Sequence, residues 1–171
     1  SAASDVYKRQ LYCADLQLRN FSQIPALNGN SIKCLSTDAA GNLYIGTDNG
    51  LYQMALSNAI THYIHDSRDD ASIPNNIVWA CFVDKWQNVW VGTDNGLSRL
   101  TTHTYYRYVS LDKITMSGEG NCLHAMLQTR NGEWWMGGTN GLIHFTRNAE
   151  GYQDVACLLY TSDAADDKAR V

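Results

Sequence analysis

The sequence predicts an all-β fold: a partial β-propeller of about three four-stranded antiparallel blades plus the outer strands of a preceding blade, not closed. Three observations predict it. The phrase "GTDNGL" stands at Gly46 to Leu51 and again at Gly92 to Leu97, with a third version, "GTNGL", at Gly138 to Leu142. Gly50, Gly96 and Gly141 mark steps of 46 and 45 residues, within the range of propeller blades. Inside each step, short runs of β-branched and aromatic residues alternate with turn residues, and no helical period is sustained.

Aligned on that phrase, the chain gives three rows: Asn30 to Met54, Asn76 to Leu100 and Asn121 to Phe145. Each row opens on an apolar inner strand, such as Ile77 to Val83, which breaks at a polar turn, "DKWQN" in the second row. A second strand follows as "LYIG", "VWVG" and "WWMG". The Asn-Gly pairs Asn49-Gly50, Asn95-Gly96 and Asn140-Gly141 are expected to supply the positive φ angles of a tight hairpin. The third strand reads "LYQM", "LSRL" and "LIHF", and "AITHYI" and "TYYRYV" supply a fourth, outer strand. Four antiparallel strands per step make one blade, with boundaries near 30–75, 76–120 and 121–156. Ahead of these, "LYCADLQLRNFSQI" reads as the third and fourth strands of a preceding blade. After the third row, "TRNAEGYQDVA" begins a fourth strand that is cut off. Gly46, Gly92 and Gly137 end the second strand, where a side chain would crowd the next blade. Tyr44, Trp90 and Trp135 share one row position and are expected to fill the wedge between blades, each burying about 150–250 Å².

Composition narrows the function. With 171 residues, 44% hydrophobic and 18% charged, the chain has a globular balance and length for one core. A net charge of -4 gives no electrostatic reason to expect nucleic acid or anionic lipid as a partner. No apolar run approaches the roughly 18–20 residues of a membrane span. The cysteines form no CxxC pair and no metal-ligand spacing, so neither metal nor cofactor is predicted. Cys34 and Cys81 lie in apolar runs and read as small core residues. Nothing has the pattern of a Ser-His-Asp set, a phosphate-cradling loop or a poised carboxylate pair, and the expectation is a non-enzymatic protein.

The two ends are read apart from the rest. "DVYKRQ" can be encoded by GATGTGTATAAGAGACAG, whose reverse complement, one frame over, encodes "CLLYTS", the residues at Cys157 to Ser162. Codons for "SAAS" likewise reverse into "SDAAD" at Ser162 to Asp166. The string resembles the transposase end and adapter used in sequencing libraries. Residues 1–10 and 157–171 are therefore expected to be artefactual, adapter-like tails on a propeller segment, residues 11–156, of a longer protein.

The rows also carry a family pattern. "N-x-V-x-x-(x)-x-x-D-x-x-G-N-x-W-x-G-T-x-x-G-L" resembles the two-component regulator propeller repeat. The second row, with its lead-in "DDASIPNNIVWA", fits closely; the first has Tyr44 for Trp; the third has Thr129 for Asp and Glu133 for Asn. The resemblance implies the extracytoplasmic, periplasmic sensor of a membrane-bound hybrid histidine kinase of Bacteroidota type. In that family two seven-bladed propellers precede an immunoglobulin-like domain, a membrane helix and a cytoplasmic kinase. It implies oligosaccharide ligands, the remaining blades of the parent chain as partners, and a homodimer.

Repeated positions hold the scaffold, and positions that break the repeat are free to specialise. On the inner strand, Ile32, Val78 and Leu123 are alike, as are Cys34, Ala80 and Ala125. Between them sit Lys33, Trp79 and His124, which have nothing in common. These three are the candidate ligand-binding residues: a cationic donor, an aromatic platform and an imidazole suit a hydroxylated or acidic ligand. Asp48, Asp94, Asp38 and Asp84 are expected to cap turns. His62 and His65 face opposite sides of a strand and make a poor metal pair. Trp86 is either an exposed sugar-stacking aromatic or packing against the next blade. Two other readings stay open: a propeller enzyme of the lyase type, which would need a channel-facing His with an acidic or metal partner, and a scaffold that binds proteins through its rims.

Overall fold

A computed structural model of the chain describes residues 11–14, 17, 19–101, 104–107, 122–139, 141–148 and 151–158. Residues 1–10, Asn140 and residues 159–171, on which several expectations above fall, lie outside the described residues. Among the described residues fourteen strands make one hairpin and three four-stranded sheets. The hairpin pairs β1 (Tyr12–Ala14) with β2 (Phe21–Gln23), and a single 3-10 turn follows at Pro25–Leu27. The first sheet runs β3 (Ile32–Thr37), β4 (Leu43–Thr47), β5 (Gly50–Met54) and β6 (Ile60–Tyr63) in sequential antiparallel order. The second repeats it with β7 (Val78–Val83), β8 (Val89–Thr93), β9 (Gly96–Thr101) and β10 (Thr104–Arg107). The third has β11 (Leu123–Gln128), β12 (Trp134–Gly138), β13 (Gly141–Asn148) and β14 (Gly151–Leu158). The sheets do not close into a ring.

Alternation along the strands assigns each residue to one of two neighbours, because successive side chains point to opposite faces. On β4, Leu43 and Ile45 face back toward the β1–β2 hairpin, joining Leu27 and Tyr52, while Tyr44 faces forward. On β8, Val89 and Val91 face back onto Tyr44 and Leu51, while Trp90 faces forward. On β12, Trp134 and Met136 face back onto Trp90 and Leu97. The three core clusters are thus the three junctions between successive units. Trp135 occupies the forward-facing position of the last sheet. Its expected place in a wedge is not realised: it is half-buried and stacks on His144 of its own sheet, ring centroids 4.1 Å apart. Trp134, its neighbour, is the fully buried ring. The reason is that no sheet lies in front of Trp135 among the described residues.

The strand-ending glycines mark the same junctions. A Cβ on Gly46 would run into Cys34 Sγ and stand 2.7 Å from Val78 Cγ1 of the next sheet; one on Gly92 would stand 3.0 Å from Leu123 Cβ. At Gly137 it would meet, among the described residues, only Ala125 Cβ, 4.0 Å away.

Two local expectations are corrected. The hairpin at "TDNG" is not a two-residue Asn-Gly turn. Thr47 pairs with Gly50 and Thr93 with Gly96, and the glycines alone carry positive φ, +93° and +94°. Among the described residues the only other residue types with positive φ are Asn58 and Gln87. The two loop residues are Asp48-Asn49 and Asp94-Asn95, and the left-handed glycine is the first residue of the returning strand. The cap of this loop is threonine, not aspartate: Thr47 Oγ1 accepts from Asn49 N–H (3.0 Å) and donates to Gly50 O (2.8 Å), and Thr93 repeats the pattern. The second correction concerns the last sheet. Its fourth strand is not cut off: β14 pairs with β13 from Gly151 to Leu158, so that the backbone ladder continues over Cys157 and Leu158.

The other hairpin behaves as expected. Asp38 accepts from Asn42 N–H (2.9 Å), Asn42 Nδ2 (2.8 Å) and Tyr44 Oη (3.1 Å). Asp84, buried, accepts from Trp86 N–H, Asn88 N–H, Asn88 Nδ2 and Trp90 Nε1. In the third sheet Thr129 Oγ1 takes over, accepting from Glu133 N–H at 3.1 Å. One carboxylate therefore holds both the turn and the junction aromatic, which explains why Asp and Tyr or Trp stand six residues apart in the first two rows.

Candidate functional site

The three inner strands share an irregularity. Ile32 pairs with Thr47 and Cys34 with Gly46, so Lys33 is an extra residue in the ladder. The same register shift falls between Val78 and Ala80, and between Leu123 and Ala125. The extra residues are Lys33, Trp79 and His124. A bulge re-aims the side chain it carries, and bulges are over-represented beside binding sites.

The consequence is a contiguous row across three sheets. Lys33 Nζ lies 4.6 Å from the centroid of the Trp79 ring, a cation–π distance. On the other side the His124 ring meets Trp79 edge-on, centroids 5.0 Å apart at 64°. Lys33 and His124 are exposed and Trp79 is partly buried. The structure thus brings the three sequence-nominated residues together, with the indole in the middle.

Asp94 completes the cluster, and turn-capping logic missed it. Its Oδ1 accepts from Trp79 Nε1 at 2.5 Å and from Cys122 Sγ, just ahead of β11, at 2.6 Å. Its counterpart Asp48 accepts instead from Ser31 N–H at 2.8 Å. Both aspartates tie the turn to the start of an inner strand, but only Asp94 reaches a side chain in the row. The hydrogen bonds from Cys122 and Trp79 hold the Asp94 carboxyl below the ordinary aspartate range, with His124 assisting and burial opposing. The Cys122 thiol is pushed up to about 11, by burial and then by Asp94. The indole is fixed in orientation by an anion at its edge. The sequence signal for this is weak: the position of Cys122 is held by Ser31 and Ile77 in the other rows, so no repeated residue marks it.

A pH-dependent contribution follows. Because the Asp94 folded pKa is depressed, its stabilisation is complete above the unfolded value of about 3.9 and is lost as pH falls through the lower folded value. Asp94→Asn is expected to cost about 1 kcal/mol at neutral pH, given the solvent access of the site. The difference from the parent chain should begin to shrink as pH falls below about 4 and vanish once pH is below the depressed folded value. An undiminished difference there would show that the charge on Asp94 is not what holds Trp79.

The remaining candidates are committed locally. His62 stacks on Tyr52, centroids 4.0 Å apart, with Nε2 2.6 Å from Asn49 O. His65 Nδ1 lies 2.8 Å from Ile73 O. Trp86 is 40% exposed, and Lys85 Nζ sits 4.5 Å from its ring centroid. Among the described residues no group of three His, Cys, Asp or Glu side chains is placed to hold a metal ion, and no helix is long and apolar enough to cross a membrane.

Repeated four-stranded antiparallel sheets, packed face to face with their inner strands side by side, define a β-propeller architecture, here as an open arc. Solved structures share it. The extracellular domain of a hybrid two-component system from B. thetaiotaomicron aligns with 86% of this chain and 21% of its own, at 17% identity and a TM-score of 0.63. Virginiamycin B lyase from Staphylococcus aureus aligns with 93% of this chain and 51% of its own, at 13% identity and a TM-score of 0.65. The extracellular domain of a second B. thetaiotaomicron hybrid two-component system aligns at 35% identity over 88% of this chain and 20% of its own, with a TM-score of 0.48. The chain spans about a fifth of the length of the two-component proteins. Comparison with curated proteins gives no match. Residues 26–49 and 72–95 match the two-component regulator propeller family. Within those two stretches the first and second rows carry two-component regulator propeller repeats, and the third row lies outside the match.

Proposed function

We propose that the chain is a segment of the extracytoplasmic, periplasmic sensing propeller of a membrane-bound two-component regulator. It binds an oligosaccharide, or another small hydroxylated ligand, along Lys33, Trp79 and His124, and it performs no catalysis. The observation that carries this reading is the row of bulges: three consecutive repeats each re-aim one non-repeating side chain, and the three side chains touch. An exposed ammonium and imidazole flanking an indole held by Asp94 offer polar donors beside an apolar face, the combination a sugar ring needs. The virginiamycin B lyase likeness is one of fold, at 13% identity. The Asp94 carboxylate nearest the row is engaged by Trp79 and Cys122, which supports binding over general acid–base work. Binding would act by favouring one arrangement of the propeller relative to its neighbouring domains or its dimer partner, and so bias an output across the membrane. The net charge of -4 supports a sugar over a nucleic acid as ligand.

The test is titration of the complete sensor with an oligosaccharide panel, followed by Trp79→Ala. A central buried-edge tryptophan carries a large share of binding energy, and about tenfold or greater loss of affinity is expected. Unchanged affinity in Trp79→Ala would remove the site, and absence of any saccharide response would remove the ligand class.

A further inference from the structure

The junction between the first two sheets holds a pair of thiols that the repeat does not require. Cys34, on β3, and Cys81, on β7, stand with their sulfurs 2.9 Å apart. Position 34 is alanine in the other rows, Ala80 and Ala125; position 81 is Leu35 and Met126. At the next junction, therefore, the equivalent pair is Ala80 and Met126, which packs a small residue against a large one. Ordinary packing satisfies that site without sulfur. Cys34 points forward to the second sheet and Cys81 back to the first, so both side chains converge from facing strands.

We propose that Cys34 and Cys81 are a disulfide-forming pair that staples the inner strands of adjacent blades. The sulfurs need to close from 2.9 Å to the roughly 2.0 Å of a disulfide bond. Cys34 is partly exposed, whereas Cys81 is buried and also directs its thiol at Tyr44 O, 3.6 Å away. Cys34 is the sulfur that an oxidant reaches first. A small-molecule disulfide supplies the chemistry: the Cys34 thiolate attacks one of its sulfurs, forming a mixed disulfide and releasing one thiolate. The Cys81 thiolate then attacks Cys34 Sγ and expels the second. Two protein thiols are oxidised, one external disulfide is reduced to two thiols, and both protein protons pass to solvent or to the released thiolates. Gly46 leaves the room that Cys34 Sγ occupies, because a side chain at position 46 would fill that space. The staple closes a segment 47 residues apart in sequence, which constrains the unfolded chain. The inference does not depend on the ligand reading above.

The test uses the intact chain incubated with oxidised glutathione, alkylated and digested with trypsin without reduction. Residues 34–68 and 69–85 fall in separate tryptic peptides, each with one cysteine. The expected product is these two joined, two hydrogens lighter than their sum, while the other three cysteines, Cys13, Cys122 and Cys157, are alkylated. The link should persist in Cys122→Ser, vanish in Cys81→Ala, and raise the melting temperature by several degrees, reversibly with dithiothreitol. Full alkylation of Cys34 and Cys81, glutathione retained on Cys34 alone, a link to Cys13, Cys122 or Cys157, or a link that forms only in denaturant would each overturn the proposal.

Discussion

Replacing Gly46 by valine is expected to destabilise the chain by about 3 kcal/mol, while the same replacement at Gly137 changes stability by less than about 0.5 kcal/mol. The two glycines occupy the same row position and the same extended backbone. What differs is the neighbour. A Cβ at Gly46 collides with Cys34 Sγ, stands 2.7 Å from Val78 Cγ1 and 3.1 Å from the Val78 carbonyl oxygen. The last of these is backbone of the adjacent sheet, and relieving the contact means moving a whole blade away from a close-packed junction. At Gly137 the nearest atom among the described residues is Ala125 Cβ, 4.0 Å away. Urea denaturation of both variants reads the comparison directly. Equal losses would mean that the glycine serves the strand itself and not the junction.

Truncating Trp90 is expected to cost more, about 3–5 kcal/mol for Trp90→Ala. The ring is fully buried, meets Trp134 edge-on at 5.1 Å, and lies under the Arg99 guanidinium at 5.7 Å. Its Nε1 also donates to Asp84 Oδ2 at 3.0 Å, so the variant strips one donor from a carboxylate only 1% exposed. Trp90→Tyr should recover a substantial part of the loss, because the first row places Tyr44 there with its hydroxyl 3.1 Å from Asp38. Trp90→Phe keeps the ring but lacks the donor and should fall between the two. A loss below about 1 kcal/mol for alanine, or equal behaviour of Tyr and Phe, would contradict the coupling of aromatic and aspartate.

Much of the fold is legible because the repeat is periodic and the strands alternate. An oxygen acceptor at the first turn (Asp38, Asp84 and, in the third row, Thr129), glycine at the strand end and apolar residues on the inner strand are local requirements met three times over. The Asn-Gly turn was misread for a local reason: "TDNG" contains a strong two-residue turn signal, but threonine capping and strand register shift the loop by one residue, leaving positive φ to glycine alone. Trp134 and Trp135 were indistinguishable by residue type. Their roles follow from which face of β12 has a neighbour, and that is a property of the stack.

The site divides along the same line. Three rows compared with one another suffice to single out Lys33, Trp79 and His124, since side chains that a repeat does not preserve are not holding its scaffold. That they touch, that Asp94 locks the indole, and that Cys34 meets Cys81 are decided only in the tertiary structure. Residues about 45 positions apart become neighbours when blades pack, and a one-residue bulge turns each side chain out of the ladder. Period and pattern are encoded along the chain, whereas contacts between blades depend on how each sheet presents its faces to the next.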